Sequence, residues 1–133
     1  MPTRRWEVDT TLIHDWIIGL DEATQDSVLS ALEYLANNGP TAGRPFVDRI
    51  HHSRHQNMKE LRPRSPGGSR QLRILFAFDL QSHAITLIAG DKTGDWNKWY
   101  RDNVPAADDL FDRHLERTTE KKKQKKQRKG KRR

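Results

Sequence analysis

The chain has 133 residues, no cysteine, one-third hydrophobic residues and a formal net charge of +7. That length points to one domain able to bury a core unaided, and the lack of cysteine excludes a disulfide framework and a thiolate metal site. No apolar run approaches the roughly 20 residues of a membrane helix, and the opening MPTRRWEVDT lacks the apolar stretch of a signal peptide, so a soluble cytoplasmic protein with no membrane partner is expected.

The charge is unevenly placed. Residues 118–133, TTEKKKQKKQRKGKRR, carry ten Lys or Arg against one Glu, a local +9, which leaves residues 1–117 at −2. The chain therefore divides into a near-neutral domain, 1–117, and a Lys/Arg-rich tail, 118–133, that composition predicts to be disordered. Such a tail binds polyanions with strong salt dependence and reads no sequence.

In chain order, Arg5 to Val8 reads as a short strand. Leu12, Ile13, Trp16 and Ile17 follow at helical spacing. Asp21 is a candidate N-cap for an amphipathic helix on which Val28, Leu32 and Leu35 fall at i, i+4 and i+7. Asn38-Gly39-Pro40 stops it. Residues 41–56 read as loop, touching strand at Phe46-Val47, and MKELR (58–62) is short and extended.

RPRSPGGS is turn chemistry. In QLRILFAFDL (71–80), Leu72, Ile74, Phe76 and Phe78 share one face and Arg73, Leu75 and Ala77 the other, so this strand is expected to be central. HAITLIAG (83–90) is its expected antiparallel neighbour. The stretch DKTGDWNKWYRDNVPAADDLFDRHLER reads as polar helix, broken near Pro105, with a weak stripe of Leu110, Phe111 and Leu115. The expected class is α+β: a twisted antiparallel sheet with N-terminal helices on one face, a C-terminal helix after it, and the other face free.

Chemistry collects around the turn after MKELR. Arg54, Lys59, Arg62, Arg64, Arg70 and Arg73 surround it, which suits a soluble loop or a phosphate site. Alternation puts Glu60 and Arg62 on one face of their strand, where Arg73 of the next strand can meet them. A carboxylate beside two guanidiniums is either a surface ion pair or a kit for phosphate esters. Arg grips phosphate oxygens in a fork, and Glu takes a proton from a hydroxyl. In GDKTGDWNKWYR (90–101), Lys92, Lys98 and Arg101 interleave with Trp96, Trp99 and Tyr100. Rings among cations suit single-stranded nucleic acid; equally, one Trp of the i, i+3 pair packs into the core and leaves Tyr100 off that face. The histidines of HHSRH (51–55) read as surface polarity or as a proton source near RNA, with no carboxylate at metal-ligand spacing.

MKELR, a Gly/Ser turn, LRILFAFD and ITLIAGDKTGDW together resemble the HigB-like, phage-related branch of the RelE/ParE toxin superfamily. The likeness follows the order of elements over roughly 4–117 and is most specific over 57–101. It implies a RelE-like fold and the toxin of a type II toxin–antitoxin system, acting as a ribosome-dependent mRNA endoribonuclease by 2′-hydroxyl attack. No metal or cofactor is implied. The implied partners are a cognate antitoxin of helix-turn-helix type, the ribosome and mRNA. Arg73 matches the arginine that opens the central strand and stabilises the phosphate. Glu60 resembles members with a carboxylate base, and Arg62 lies beside it. Lys92 matches the basic residue after the last strand, and Tyr100 loosely matches a C-terminal aromatic near the scissile bond. Met58 and Glu60 stand where RelE proper has paired lysines. Lys59, Arg64, Arg70, Trp96, Lys98, Trp99 and Arg101 are the expected RNA-binding residues. A ParE-like gyrase poison, or a nucleic-acid-binding protein without catalysis, is the alternative.

Overall fold

The computed structural model describes residues 5–130, apart from the side chains of 122–124 and 126–130. Strand β1 is Val8–Asp9, followed by a 3-10 turn, Thr11–Ile13, that runs into helix α1, His14–Ile18. Helix α2 spans Glu22–Asn38. Asp21 caps it, as the sequence predicts, accepting from the Thr24 N–H at 3.2 Å and the Thr24 hydroxyl at 2.7 Å. Gly39 ends it at φ 58°, and a Cβ there would lie 2.3 Å from the Trp6 ring, so only glycine fits.

Strands β2 (Val47–Arg49), β3 (Lys59–Leu61), β4 (Leu72–Phe78) and β5 (Ala84–Asp91) complete a sheet of order β1-β5-β4-β3-β2. The central position of β4 and its pairing with β5 are as expected. Two details differ. Strand β2 is a full member of the sheet, and β1 joins β5 in parallel, pairing Val8 with Ala84, so only β2 to β5 are antiparallel. A parallel partner needs a long crossover; here the two N-terminal helices and three strands intervene.

The two faces of β4 part as their alternation predicts. Leu72, Ile74 and Phe76 pack with Val28, Leu32 and Leu35 of α2 and Ile13 and Ile17 before it. Leu75 and Ala77 pack on the opposite face. That second face is not free. Helix α3, Trp96–Gly130, crosses it and buries Val104, Ala107 and Phe111 against Leu75, Ala77 and Leu87. This stripe, at i, i+3 and i+7, is hidden in sequence among aspartates. The same contacts explain why the expected break at Pro105 does not occur. An interior proline costs about 3 kcal/mol, but anchors on both sides of Pro105 keep the helix running.

Helix α3 carries on to Gly130, through the part of the basic segment for which composition predicts disorder; residues 131–133 lie outside the described residues. Neither buried cluster includes a residue beyond Leu115.

Candidate active site

The sheet face under α3 holds the buried charge of the molecule. Glu60 lies on β3 opposite Leu75 of β4 and Asp48 of β2, and is 2% exposed. Its carboxylate is fully engaged. Arg62 donates to Oε1 through Nε at 3.0 Å and Nη2 at 2.8 Å, and Tyr100 donates its hydroxyl to Oε2 at 2.6 Å. The same Arg62 Nη2 donates to Asp48 Oδ2 at 3.0 Å. Arg73 Nε lies 3.8 Å from Glu60 Oε2 and, buried, has no hydrogen-bond partner among the described residues. Its Nη1 donates to the Leu72 carbonyl.

Lys92, at the exit of β5, is buried too. Its Nζ donates to the Tyr100 hydroxyl at 3.1 Å and sits 4.3 Å from the Trp96 ring centroid. Burial, and then the charge of Arg73, pushes the Lys92 ammonium below its ordinary value. Tyr100 is pushed up to about 12, first by burial and then by its bond to Glu60. Asp48 sits below the usual carboxylate range: burial raises it, but the Arg49 N–H and the guanidiniums of Arg44 and Arg62 outweigh that.

Above this cluster opens a pocket of about 620 Å³. Its walls are Asp48, Arg49, Ile50, His51 and His52 on one side, Glu60 and Arg62 at the floor, and Asn97, Tyr100, Arg101, Val104 and Pro105 of α3 on the other. Three cations, Arg62, Arg73 and Lys92, face two carboxylates, Glu60 and Asp48. The surplus positive charge suits an anionic ligand, and Arg49 and Arg101 add to it at the walls.

The structure brings all five expected catalytic residues together: Glu60, Arg62, Arg73, Lys92 and Tyr100. Glu60, Arg62 and Tyr100 line the pocket; Arg73 and Lys92 stand behind them. The expected RNA-binding residues divide. Arg101 lines the pocket, and Trp96, half-exposed, covers Lys92. Lys98 is exposed on the first turn of α3. Trp99 packs over Gly90, where a Cβ would meet its Nε1 at 2.9 Å, so this tryptophan docks the helix. Tyr100 is not left off the packed face; it turns down beside Trp99 into the site.

Lys59, Arg64 and Arg70 face the side of α2. Lys59 donates to the Pro40 carbonyl, Arg64 lies over Phe46, and Arg70 pairs with Asp21. Arg54 pairs with Asp109 and Asp112 of α3. The cations around the turn are therefore dispersed over both faces. Asp48, Arg49 and Asn97 were missed by sequence reasoning. Asp48 gives no local signal; only the register of β2 against β3 places it beside Glu60.

The fold is thus a small α+β scaffold with a Glu–Arg–Tyr–Lys cluster beneath a cationic pocket. Comparison with known proteins is specific. The family described as Phage derived protein Gp49-like matches residues 15–112, and the chain belongs to it. Two relatives from Mycobacterium tuberculosis carry the names "Putative toxin HigB2" and "Putative toxin HigB3". The first is 49% identical over 110 residues, 83% of this chain and 54% of its own length. The second is 45% identical over 96 residues, 72% of this chain and 81% of its own length. The chain thus spans about half of the first relative and four-fifths of the second. No solved structure matches it significantly.

Proposed function

We propose that this protein is the toxin of a toxin–antitoxin pair and cleaves translated mRNA on the ribosome without a metal ion. The toxin names of its relatives support the first part. The observation that carries the second is the Glu60 carboxylate, held between Arg62, Arg73 and Tyr100 at the floor of a cationic pocket. The domain over 1–117 carries the reaction, and the basic segment over 118–133 adds attraction for RNA. The partners are a cognate antitoxin, the ribosome and mRNA, in the cytoplasm. Among the described residues no helix is long and apolar enough to cross a membrane.

In the reaction, a ribose 2′-hydroxyl attacks the adjacent phosphorus and the 5′-oxygen leaves, giving a 2′,3′-cyclic phosphate. Glu60 is the base. Being buried with both oxygens occupied, it acts through Tyr100: the 2′-hydroxyl gives its proton to the tyrosine oxygen as that oxygen passes its own to Glu60 Oε2. Its hydrogen bonds support this role: Tyr100 donates to Glu60 and accepts from Lys92, which leaves a lone pair for substrate. Arg62, with Arg101 at the wall, stabilises the charge that develops on the phosphoryl oxygens. Arg73 and Lys92 position Glu60 and Tyr100 from behind.

Primer extension on RNA from expressing cells tests the reading. New ends inside open reading frames, lost in Glu60→Gln, are expected. Intact mRNA with trapped gyrase–DNA complexes would establish the ParE-like alternative, and RNA binding without new ends a non-catalytic one.

A further inference from the structure

We propose that the paired histidines on the β2–β3 connection, His51 and His52, supply the general acid of cleavage, protonating the leaving 5′-oxygen from the wall of the pocket they share with Tyr100 and Glu60. This rests on the nuclease reading above and deepens it.

The assignment follows from what surrounds the pocket. A leaving alkoxide needs a proton from a group that reaches it and releases a proton near neutral pH. Arg73 and Lys92 are outside the lining. Tyr100 has committed its hydrogen to Glu60, and burial has made it a weaker acid than usual. The guanidiniums of Arg49, Arg62 and Arg101 hold their protons too tightly to act. Asp48 is bound by Arg44 and Arg62 and sits below the usual carboxylate range. Of the lining groups only His51 and His52 remain, and imidazole is the side chain that ordinarily exchanges protons near neutrality.

Both are exposed, yet the turn that carries them is fixed at each end. The Ile50 N–H donates to the Met58 carbonyl at 3.0 Å, closing the base of the connection. Beyond the pair, the Ser53 hydroxyl and the Arg54 N–H both donate to Asp108 of α3, which is 2% exposed, and the His55 ring contacts Asp112 at 2.7 Å. The turn bearing the histidines is thereby tied to β3 at one end and to α3 at the other, and both histidines line the pocket that Tyr100 of α3 also lines. The charged and titratable groups facing them are Asp48 and Arg49 of β2, Glu60 and Arg62 of β3, and Tyr100 and Arg101 of α3.

The step balances. The bond from O2′ to phosphorus forms and the bond from phosphorus to O5′ breaks. The 2′-hydroxyl proton passes through Tyr100 to Glu60, and one imidazolium gives its proton to O5′. Products are a 2′,3′-cyclic phosphate and a 5′-hydroxyl; water then exchanges protons with Glu60 and the imidazole.

The test uses full-length protein, programmed ribosomes and two synthetic mRNAs that differ only at the cleavage position mapped by primer extension. One has the natural 5′-oxygen; the other has sulfur in that bridging position, which leaves as thiolate without protonation. His51→Gln/His52→Gln is expected to lose about a hundredfold or more on the oxygen link, to regain the parental rate on the sulfur link, and to lose the alkaline fall of the parental rate–pH profile. The single variants show which ring acts. Glu60→Gln stays slow on both links. If the double variant cuts the oxygen link at the parental rate, or is equally slow on both, the histidines are not the acid. If the parent cuts neither RNA, the nuclease reading itself is wrong.

Discussion

The two faces of the sheet are built to different specifications. The face under α1 and α2 is closed by Ile13, Val28, Leu35, Leu61, Ile74 and Phe76, with no ionisable group among its buried cluster. The face under α3 has a smaller apolar cluster and all three buried ionisable residues of the described chain, Glu60, Lys92 and Asp108. Burying charge is costly unless every charge is paired and hydrogen-bonded, and among the described residues Arg73 Nε has the Glu60 carboxylate at 3.8 Å but no hydrogen bond. One face therefore stabilises the fold, and the other gives up stability to hold buried ionisable groups beside an open pocket.

The largest effect on this contrast comes from the apolar face. Phe76→Ala empties a fully buried site and is expected to cost about 3–5 kcal/mol of stability. A lowered urea midpoint measures it, while the fraction still folded cleaves RNA at the parental rate. Loss of cleavage in that folded fraction would mean that the faces are coupled.

Glu60→Gln is the matching cut on the other face. The amide keeps the shape but cannot take a proton, and cleavage is expected to fall on the order of a hundred- to ten-thousandfold. Single-turnover rates on saturating ribosomes report it.

A subtler probe is alkaline pH. Tyr100, pushed up to about 12, holds its proton more tightly folded than unfolded, where a phenol titrates near 10. Its contribution to stability is full below about pH 10 and is lost as the pH rises through about 12. Tyr100→Phe removes that dependence, so urea midpoints followed across this window should drop more steeply in the parent than in the variant.

The smallest effect on either face is expected from deleting residues 119–133. Binding to ribosomes should weaken and its dependence on salt should flatten, because phosphate-neutralising cations are gone. The thermal midpoint and the cleavage rate of bound substrate should stay at parental values. A fall in that rate at saturation would assign the basic segment a part in the chemistry.

Part of the candidate site was legible because side chains alternate along a strand. Alternation along 58–62 and 72–78 lets Glu60, Arg62 and Arg73 meet on one face, and the register of β3 on β4, with Glu60 opposite Leu75, decides that they do. Helix α2 was legible from Asp21, the Val28–Leu32–Leu35 spacing and Gly39. Tyr100 was less so: whether it or Trp99 meets the sheet depends on the rotation of α3, fixed by the close approach of Trp99 to Gly90. The scattering of Lys59, Arg64 and Arg70 away from Glu60 was not legible, since proximity in sequence does not say which side of a sheet a side chain takes in a turn.

By itself, then, the sequence determined helix α2, strands β4 and β5, the two faces of β4 and the placing of Glu60 and Arg62 on one side of their strand, because these rest on local periodicity and short-range capping. Tertiary structure decided that α3 runs through Pro105 and covers the second face, that β1 closes the sheet in parallel, and that Asp48, Tyr100, His51 and His52 surround one pocket. Those outcomes depend on contacts between residues far apart in the chain, such as Asp48 with Arg62 and Glu60 with Tyr100, whose partners no local pattern specifies.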